Sequence, residues 1–200
     1  MTNKIPDEYE NPIDLLIYKL FPYVNPFLYN YGFTPNLITT ISFMFGLLSI
    51  FFYINKQYLI TGIIFFISYI FDCIDGNFAR QYKMETNFGD LYDHITDYIV
   101  IIGIFIVILY NPNTNNYYKY IGVAFLLSLL YGLAIHMLYQ EKYYNQIKNS
   151  NESSMMDTYL SYLLSEKSYD FEKMRLTKYF GCGTWYSLLS IFIICCKYTM

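Results

Sequence analysis

Five of the sixteen acidic residues, Asp72, Asp75, Asp90, Asp93 and Asp97, crowd into one short stretch of the chain. Asp72, Asp75, Gly76, Ala79 and Arg80 follow an i, i+3, i+4, i+7, i+8 order, so a helix carries all five on one stripe. Gly89, Asp93 and Asp97 are four apart and share one face of a following helix. The segment from Gln81 to Phe88 is short enough to make the two helices antiparallel neighbours, which brings both Asp pairs to a similar depth. Four carboxylates at one point cannot all be ionised without positive charge among them. Oxygen-only donors with no Cys or His partner favour Mg²⁺ or Mn²⁺ over zinc. Gly76 and Ala79 leave room for a ligand to approach the backbone, and Arg80 suits a phosphate. Such a set can hold a diphosphate through bridging metal while one carboxylate serves as general base. Acids that merely cap helices at a membrane surface do not require this alignment.

The elements that must position these residues are apolar. The 200-residue chain is 55% apolar and 14% charged, a balance that excludes a disordered protein and disfavours a water-soluble one. Leu37 to Ile54 is uncharged and follows Thr34-Pro35-Asn36, so it reads as a spanning helix with a capped entry. The uncharged run from Tyr58 to Phe71 covers only about 21 Å of a hydrocarbon core about 30 Å thick. That helix must therefore continue through Asp72. The run from Tyr98 to Tyr110 mirrors it, preceded by Asp93 and Asp97. The expected spans are 37–54, 58–80, 90–110, 120–139 and a last one within 179–200. Ahead of them Ile13, Leu16, Ile17, Leu20, Phe21, Val24 and Leu28 keep helical spacing, with Asp14 and Lys19 outside that face. This predicts an interfacial amphipathic helix, bent or broken at Pro22 and Pro26.

The expected architecture is thus an all-α integral membrane bundle of five transmembrane helices. Residues 1–33 form a cytoplasmic N-terminus with the interfacial helix, 34–140 a transmembrane catalytic core, 141–178 a polar cytoplasmic loop and 179–200 the last span. Ten of the thirteen Lys and Arg residues fall on one side of this topology, against Lys56, Lys119 and Lys197 on the other, which places the N-terminus and the aspartates at the cytoplasm. On that side the Asn151-Glu152-Ser153 sequon stays unglycosylated. A net charge of -3 without a basic run argues against nucleic acid as a partner. The four cysteines lack metal-site spacing and read as apolar filler.

The pattern Asp72-x-x-Asp75-Gly76-x-x-Ala79-Arg80, eight residues, Gly89-x-x-x-Asp93-x-x-x-Asp97 resembles the signature of the CDP-alcohol phosphotransferase (CDP-alcohol phosphatidyltransferase) family at all eight fixed positions. The resemblance implies a six-helix, usually dimeric membrane enzyme. Such an enzyme displaces CMP from a CDP-linked lipid or alcohol with the hydroxyl of an acceptor alcohol. On that resemblance Asp72, Asp75 and Asp93 bind metal, and Asp97 is the catalytic base and also touches metal. Gly76, Ala79 and Arg80 line the cytidine diphosphate pocket, and Gly89 allows close packing there. Pro35-Asn36-x-x-Thr39 is similar to the family's entry to the first span, where Asn36 and Thr39 would approach the nucleotide. The likeness covers residues 12 to 140; five spans stand where the family has six, and 140–178 has no counterpart. Gly89-Asp90-Leu91-Tyr92-Asp93-His94 resembles a choline and ethanolamine phosphotransferase segment, whereas chain length suits phosphatidylinositol, phosphatidylglycerophosphate or phosphatidylserine synthases.

The function expected is transfer of a substituted phosphate group in phospholipid synthesis, with Mg²⁺ or Mn²⁺ as cofactor. The rival readings are a divalent-cation carrier, a degenerate scaffold that keeps the motif, and a membrane prenyltransferase, whose Asp spacing differs. His94 follows a ligand position and is expected off the metal face. His136 is expected to be a satisfied bundle residue.

Overall fold

The computed structural model describes residues 5–148 and 171–199, and every regular element among them is helical. Two short helices, α1 (Pro12–Tyr18) and α2 (Phe21–Asn30), lead into α3 (Pro35–Ile54), α4 (Tyr58–Tyr82), α5 (Asn87–Tyr110) and the long α6 (Asn116–Lys148). After the undescribed segment come α7 (Phe171–Thr177), a 3₁₀ turn (Lys178–Phe180), α8 (Cys182–Cys195) and a closing 3₁₀ turn (Cys196–Thr199).

Four helices, α3, α4, α5 and the Asn116–Tyr143 part of α6, are long and apolar enough to cross a membrane. The segment expected as a fifth span is α8, 14 residues or about 21 Å, lengthened by its 3₁₀ turn. Its Trp185, Leu189 and Ile193 are buried at the centre of the bundle. Trp185 Nε1 donates to the Leu126 carbonyl of α6 at 3.2 Å. The expected polar loop 141–178 is helical at both ends, in α6 and α7; residues 149–170, including the sequon, lie outside the described residues.

Two features fix the helices that carry the aspartates. Ser42 and Ser68 each donate to the other's backbone carbonyl at 2.9 Å, tying α3 to α4 in the apolar interior. Thr40 and the Tyr92 hydroxyl, 3.1 Å apart, tie α3 to α5. The α4–α5 turn is tighter than the sequence suggested. Lys83 takes a left-handed conformation (φ 54) at the end of α4, and Thr86 caps α5 by accepting from Gly89 N at 3.0 Å.

The N-terminal segment departs from its helical-wheel reading. The break falls between Tyr18 and Phe21, so Pro22 sits in the first turn of α2, where its missing N–H costs nothing. The face turned to the bundle contains Asp14, Ile17, Phe21, Asn25 and Leu28, while Leu16, Leu20, Tyr23 and Phe27 are exposed. Hydrophobic periodicity alone put Asp14 outside; specific donors on the bundle bring it in.

Candidate active site

The C-terminal third of α4 and the N-terminal half of α5 lie side by side, and their aspartates meet. Carboxylate oxygens of Asp72, Asp75 and Asp93 all lie within 4.8 Å of one another. Asp97, one turn beyond Asp93, reaches the Asp72 carboxyl, so the fourth acid joins the cluster through α4. Asp75 is 4% exposed, and its Oδ2 has no hydrogen-bond partner among the described residues; the same holds for Asp93 Oδ1. Buried carboxylate oxygens without donors are costly unless a cation satisfies them. The donor set is all oxygen, acidic and partly unpartnered, so a divalent cation fits it.

A cavity of about 230 Å³ opens beside the cluster. Asp75, Gly76, Ala79 and Arg80 from α4 line it, with Asn36 and Thr39 from α3 and Gly89 and Asp93 from α5. All six residues expected to approach the nucleotide therefore share one cavity with two of the expected metal ligands. Asp72 and Asp97 do not line it. The Arg80 guanidinium lies over Gly76, where a Cβ would come within 3.4 Å of Nη1. A Cβ at Gly89 would stand 3.0 Å from both Asn36 Oδ1 and Thr86 Oγ1, so only glycine lets α5 approach α3 this closely without displacing them.

Met84, Glu85, Thr86, Asp90 and His94 also line the cavity, and sequence reasoning assigned them no role there. His94 was expected to point off the metal face, but it borders the cavity, with Nε2 3.7 Å from Asp90 Oδ1. The cavity wraps the first two turns of α5, so the i, i+4 spacing of Asp90 and His94 was the available signal. His136 is buried and satisfied, with Nδ1 3.2 Å from Thr177 Oγ1 and Nε2 3.1 Å from Gln140 Nε2. All four cysteines are free thiols.

A bundle of apolar helices that gathers carboxylates and a guanidinium around one cavity defines an integral membrane protein with a polar site whose donor set could hold a divalent cation. The family model for CDP-alcohol phosphatidyltransferase matches residues 33–192, and the chain belongs to that family, as a multi-pass integral membrane protein. Among curated proteins it is similar to the CDP-diacylglycerol–inositol 3-phosphatidyltransferase of Drosophila melanogaster, 28% identical over 54% of this chain and 46% of that one. It is also similar to the CDP-diacylglycerol–glycerol-3-phosphate 3-phosphatidyltransferases of Haemophilus influenzae (33% identical over 30% of this chain and 33% of that one) and Mycoplasma pneumoniae (36% over 25% and 22%). The matched stretches span less than half the length of each of these relatives. No solved structure matches the chain significantly.

Proposed function

We propose that this protein transfers a phosphatidyl group from CDP-diacylglycerol to a hydroxyl of a polyol or polyol phosphate, releasing CMP. The observation that carries the reading is the convergence of all eight signature residues on one cluster and its adjoining cavity. The names of the three relatives support the donor, and they divide between inositol and glycerol 3-phosphate as acceptor.

In this reading Asp72, Asp75, Asp93 and Asp97 hold Mg²⁺ or Mn²⁺, which supplies charge neutralisation for the diphosphate. Asn36, Thr39, Gly76, Ala79 and Gly89 seat the nucleotide, and Arg80 orients a phosphate oxygen through its planar donors. Asp97 accepts the proton of the acceptor hydroxyl. The acceptor oxygen forms a bond to the lipid-bearing phosphorus while the bond from that phosphorus to the CMP oxygen breaks. The N-terminus and site face the cytoplasm, supported by the distribution of Lys and Arg, and the chain works as a homodimer. The membrane domain comprises 34–140 and the last segment 179–200.

The test is CMP release by purified protein in detergent with Mg²⁺ or Mn²⁺. CDP-diacylglycerol is offered with inositol, glycerol 3-phosphate or serine, and CDP-choline and CDP-ethanolamine serve as alternative donors. Release that requires CDP-diacylglycerol and one acceptor establishes the reading and names the product. Asp97→Asn should abolish turnover while leaving CDP binding largely intact, whereas Asp75→Asn should lose both. Metal crossing sealed vesicles without any CDP compound would replace this reading with a carrier.

A further inference from the structure

The end of the bundle away from the aspartates has a different chemistry. The runs 37–71, 98–140 and 179–199, whose far portions reach it, contain no Asp or Glu, yet they carry Lys56, Lys119 and Lys197. Between the α3–α4 turn and the α5–α6 connection lies a second cavity of about 220 Å³. Lys56, Tyr53, Tyr58 and Asn111 form its polar wall, and Ile54 and Val107 belong to its apolar wall.

The polar wall is built, not incidental. Asn111 Nδ2 has three oxygens in reach, the Tyr58 hydroxyl at 2.9 Å, Thr114 Oγ1 at 3.0 Å and the Tyr53 hydroxyl at 3.3 Å, and its two hydrogens go to the nearer pair. The Tyr58 hydroxyl therefore accepts, and its own hydrogen has no acceptor among the described residues. Behind Asn111, the buried Lys119 donates to its carbonyl at 2.8 Å and to that of Leu109 at 3.2 Å. A second cation is thereby held next to the cavity wall.

Lys56 itself stands where glycine would be easiest. Helix α2 ends on Gly32 at φ 74, with Gly32 N bonded to Tyr29 O and Phe33 N to Leu28 O. Helix α3 ends in the same pattern, Lys56 N to Tyr53 O and Gln57 N to Phe52 O, but with a lysine at φ 61. A side chain is retained there against its conformational preference. Its Nζ donates to Asn113 Oδ1 at 3.4 Å, beside the cavity, with two further N–H bonds to give.

We propose that this cavity binds the phosphate of an anionic phospholipid headgroup from the leaflet opposite the aspartates, with Lys56 Nζ and the Tyr58 hydroxyl as donors. A phosphate ester matches two cations with no acid beside them. The lipid source follows from location, because the site lies at the ends of spanning helices, where headgroups meet the hydrocarbon, and one wall is apolar.

The test is thermal melting of the full chain in detergent with added phosphatidylglycerol, phosphatidylcholine or inorganic phosphate. It requires no turnover, so it stands apart from the proposed reaction. The wild type should melt about 5 °C higher with phosphatidylglycerol than with phosphatidylcholine. Lys56→Gly keeps the turn and should lose at least half of that difference, and Tyr58→Phe a smaller part. Lys83→Gly, which relaxes the same type of helix end on the aspartate side, should keep all of it. An undiminished difference in Lys56→Gly overturns the site. An equal loss in Lys83→Gly overturns it in favour of general surface charge, and an equal response to inorganic phosphate overturns the lipid as its occupant.

Discussion

Two groups of buried acids share one end of this molecule and are built in opposite ways. Glu10 accepts from Asn11 N at 3.0 Å, Gln140 Nε2 at 3.3 Å and the Tyr18 hydroxyl at 3.2 Å. Asp14 accepts from the Tyr69 hydroxyl and from the backbone N–H of Gly183. Asn11 completes the tether by donating to Lys178 O at 2.6 Å and Thr184 Oγ1 at 2.8 Å. These acids fasten the N-terminal helices to α4, α6 and α8. The aspartates of α4 and α5, in contrast, face one another, and two of their oxygens lack partners altogether among the described residues. Burial of an acid therefore does not mark a site. What separates the groups is how completely donors are supplied. Glu10 and Asp14 leave no buried oxygen without one, whereas Asp75, which accepts from Thr39 and the Gly76 N–H, and Asp93, which pairs with Asp72, each keep one oxygen unpartnered among the described residues, where a cation would fit.

Substitution in each group should break the comparison if it is wrong. Asp75→Asn is expected to lower CMP release by about 10³-fold, since on the proposed reading it removes a metal ligand from the cluster. On the proposed reading Mg²⁺ should raise the wild-type melting temperature, and Asp75→Asn should abolish that rise. Asp14→Asn should keep activity within about threefold and keep the Mg²⁺ response. Assays of release and of melting with and without EDTA decide this; an Asp75→Asn protein that still melts higher with Mg²⁺ would remove the cluster as the metal site.

Stability in metal-free buffer should move the other way. Asp14→Ala leaves the Tyr69 hydroxyl and the Gly183 N–H buried without their acceptor, a loss of about 2–3 kcal/mol. Asp93→Asn removes one of several mutually repelling charges and keeps an amide oxygen that can still accept from Asp72, so it should melt at or above the wild-type temperature. If Asp93→Asn lost as much stability as Asp14→Ala, the aspartate cluster would be structural like its neighbour.

The contrast also explains what could be read from the chain. Helical repeats of Asp, Gly, Ala and Arg fixed a face and a depth, so Asp72 to Asp97 and the Gly76–Arg80 stripe were legible, as were the helices from Leu37 to Tyr139. Asp14 was misread because a helical wheel scores it as polar and cannot know that Tyr69 and Gly183, distant in sequence, wait for it. His94 and Asp90 were missed for a related reason. Their role at the cavity depends on how closely α5 approaches α3 at Gly89, a property of packing rather than spacing. The segment expected as a fifth span was legible as an apolar run, but its division into a 14-residue helix and a 3₁₀ turn was not.

The smallest expected effect is the share of the pH dependence that the tethering acids contribute. Burial, with Asp14 nearby, raises Glu10 from 4.5 to about 7; Arg80 and hydrogen bonds from Asn11 and Tyr18 oppose this. Burial likewise raises Asp14 from 3.8 to about 6, against the hydrogen bonds from Tyr69 and Gly183. Because the folded state holds these protons more tightly than the unfolded chain, stability falls as pH rises from about 4 through about 7 and levels off above. Glu10→Gln removes one of these titrations, so its melting temperature should decline less over that window. At pH 8 the gain should be about 1–2 kcal/mol, because the single Gln carbonyl replaces two oxygens that accept three hydrogen bonds and part of the relief is offset. Melting curves at half-unit pH steps in EDTA, which keeps metal binding by the other cluster out of the measurement, test this directly. A wild-type slope left unchanged by Glu10→Gln would remove Glu10 from the groups whose titration weakens the fold and leave its burial without the effect on stability argued for it.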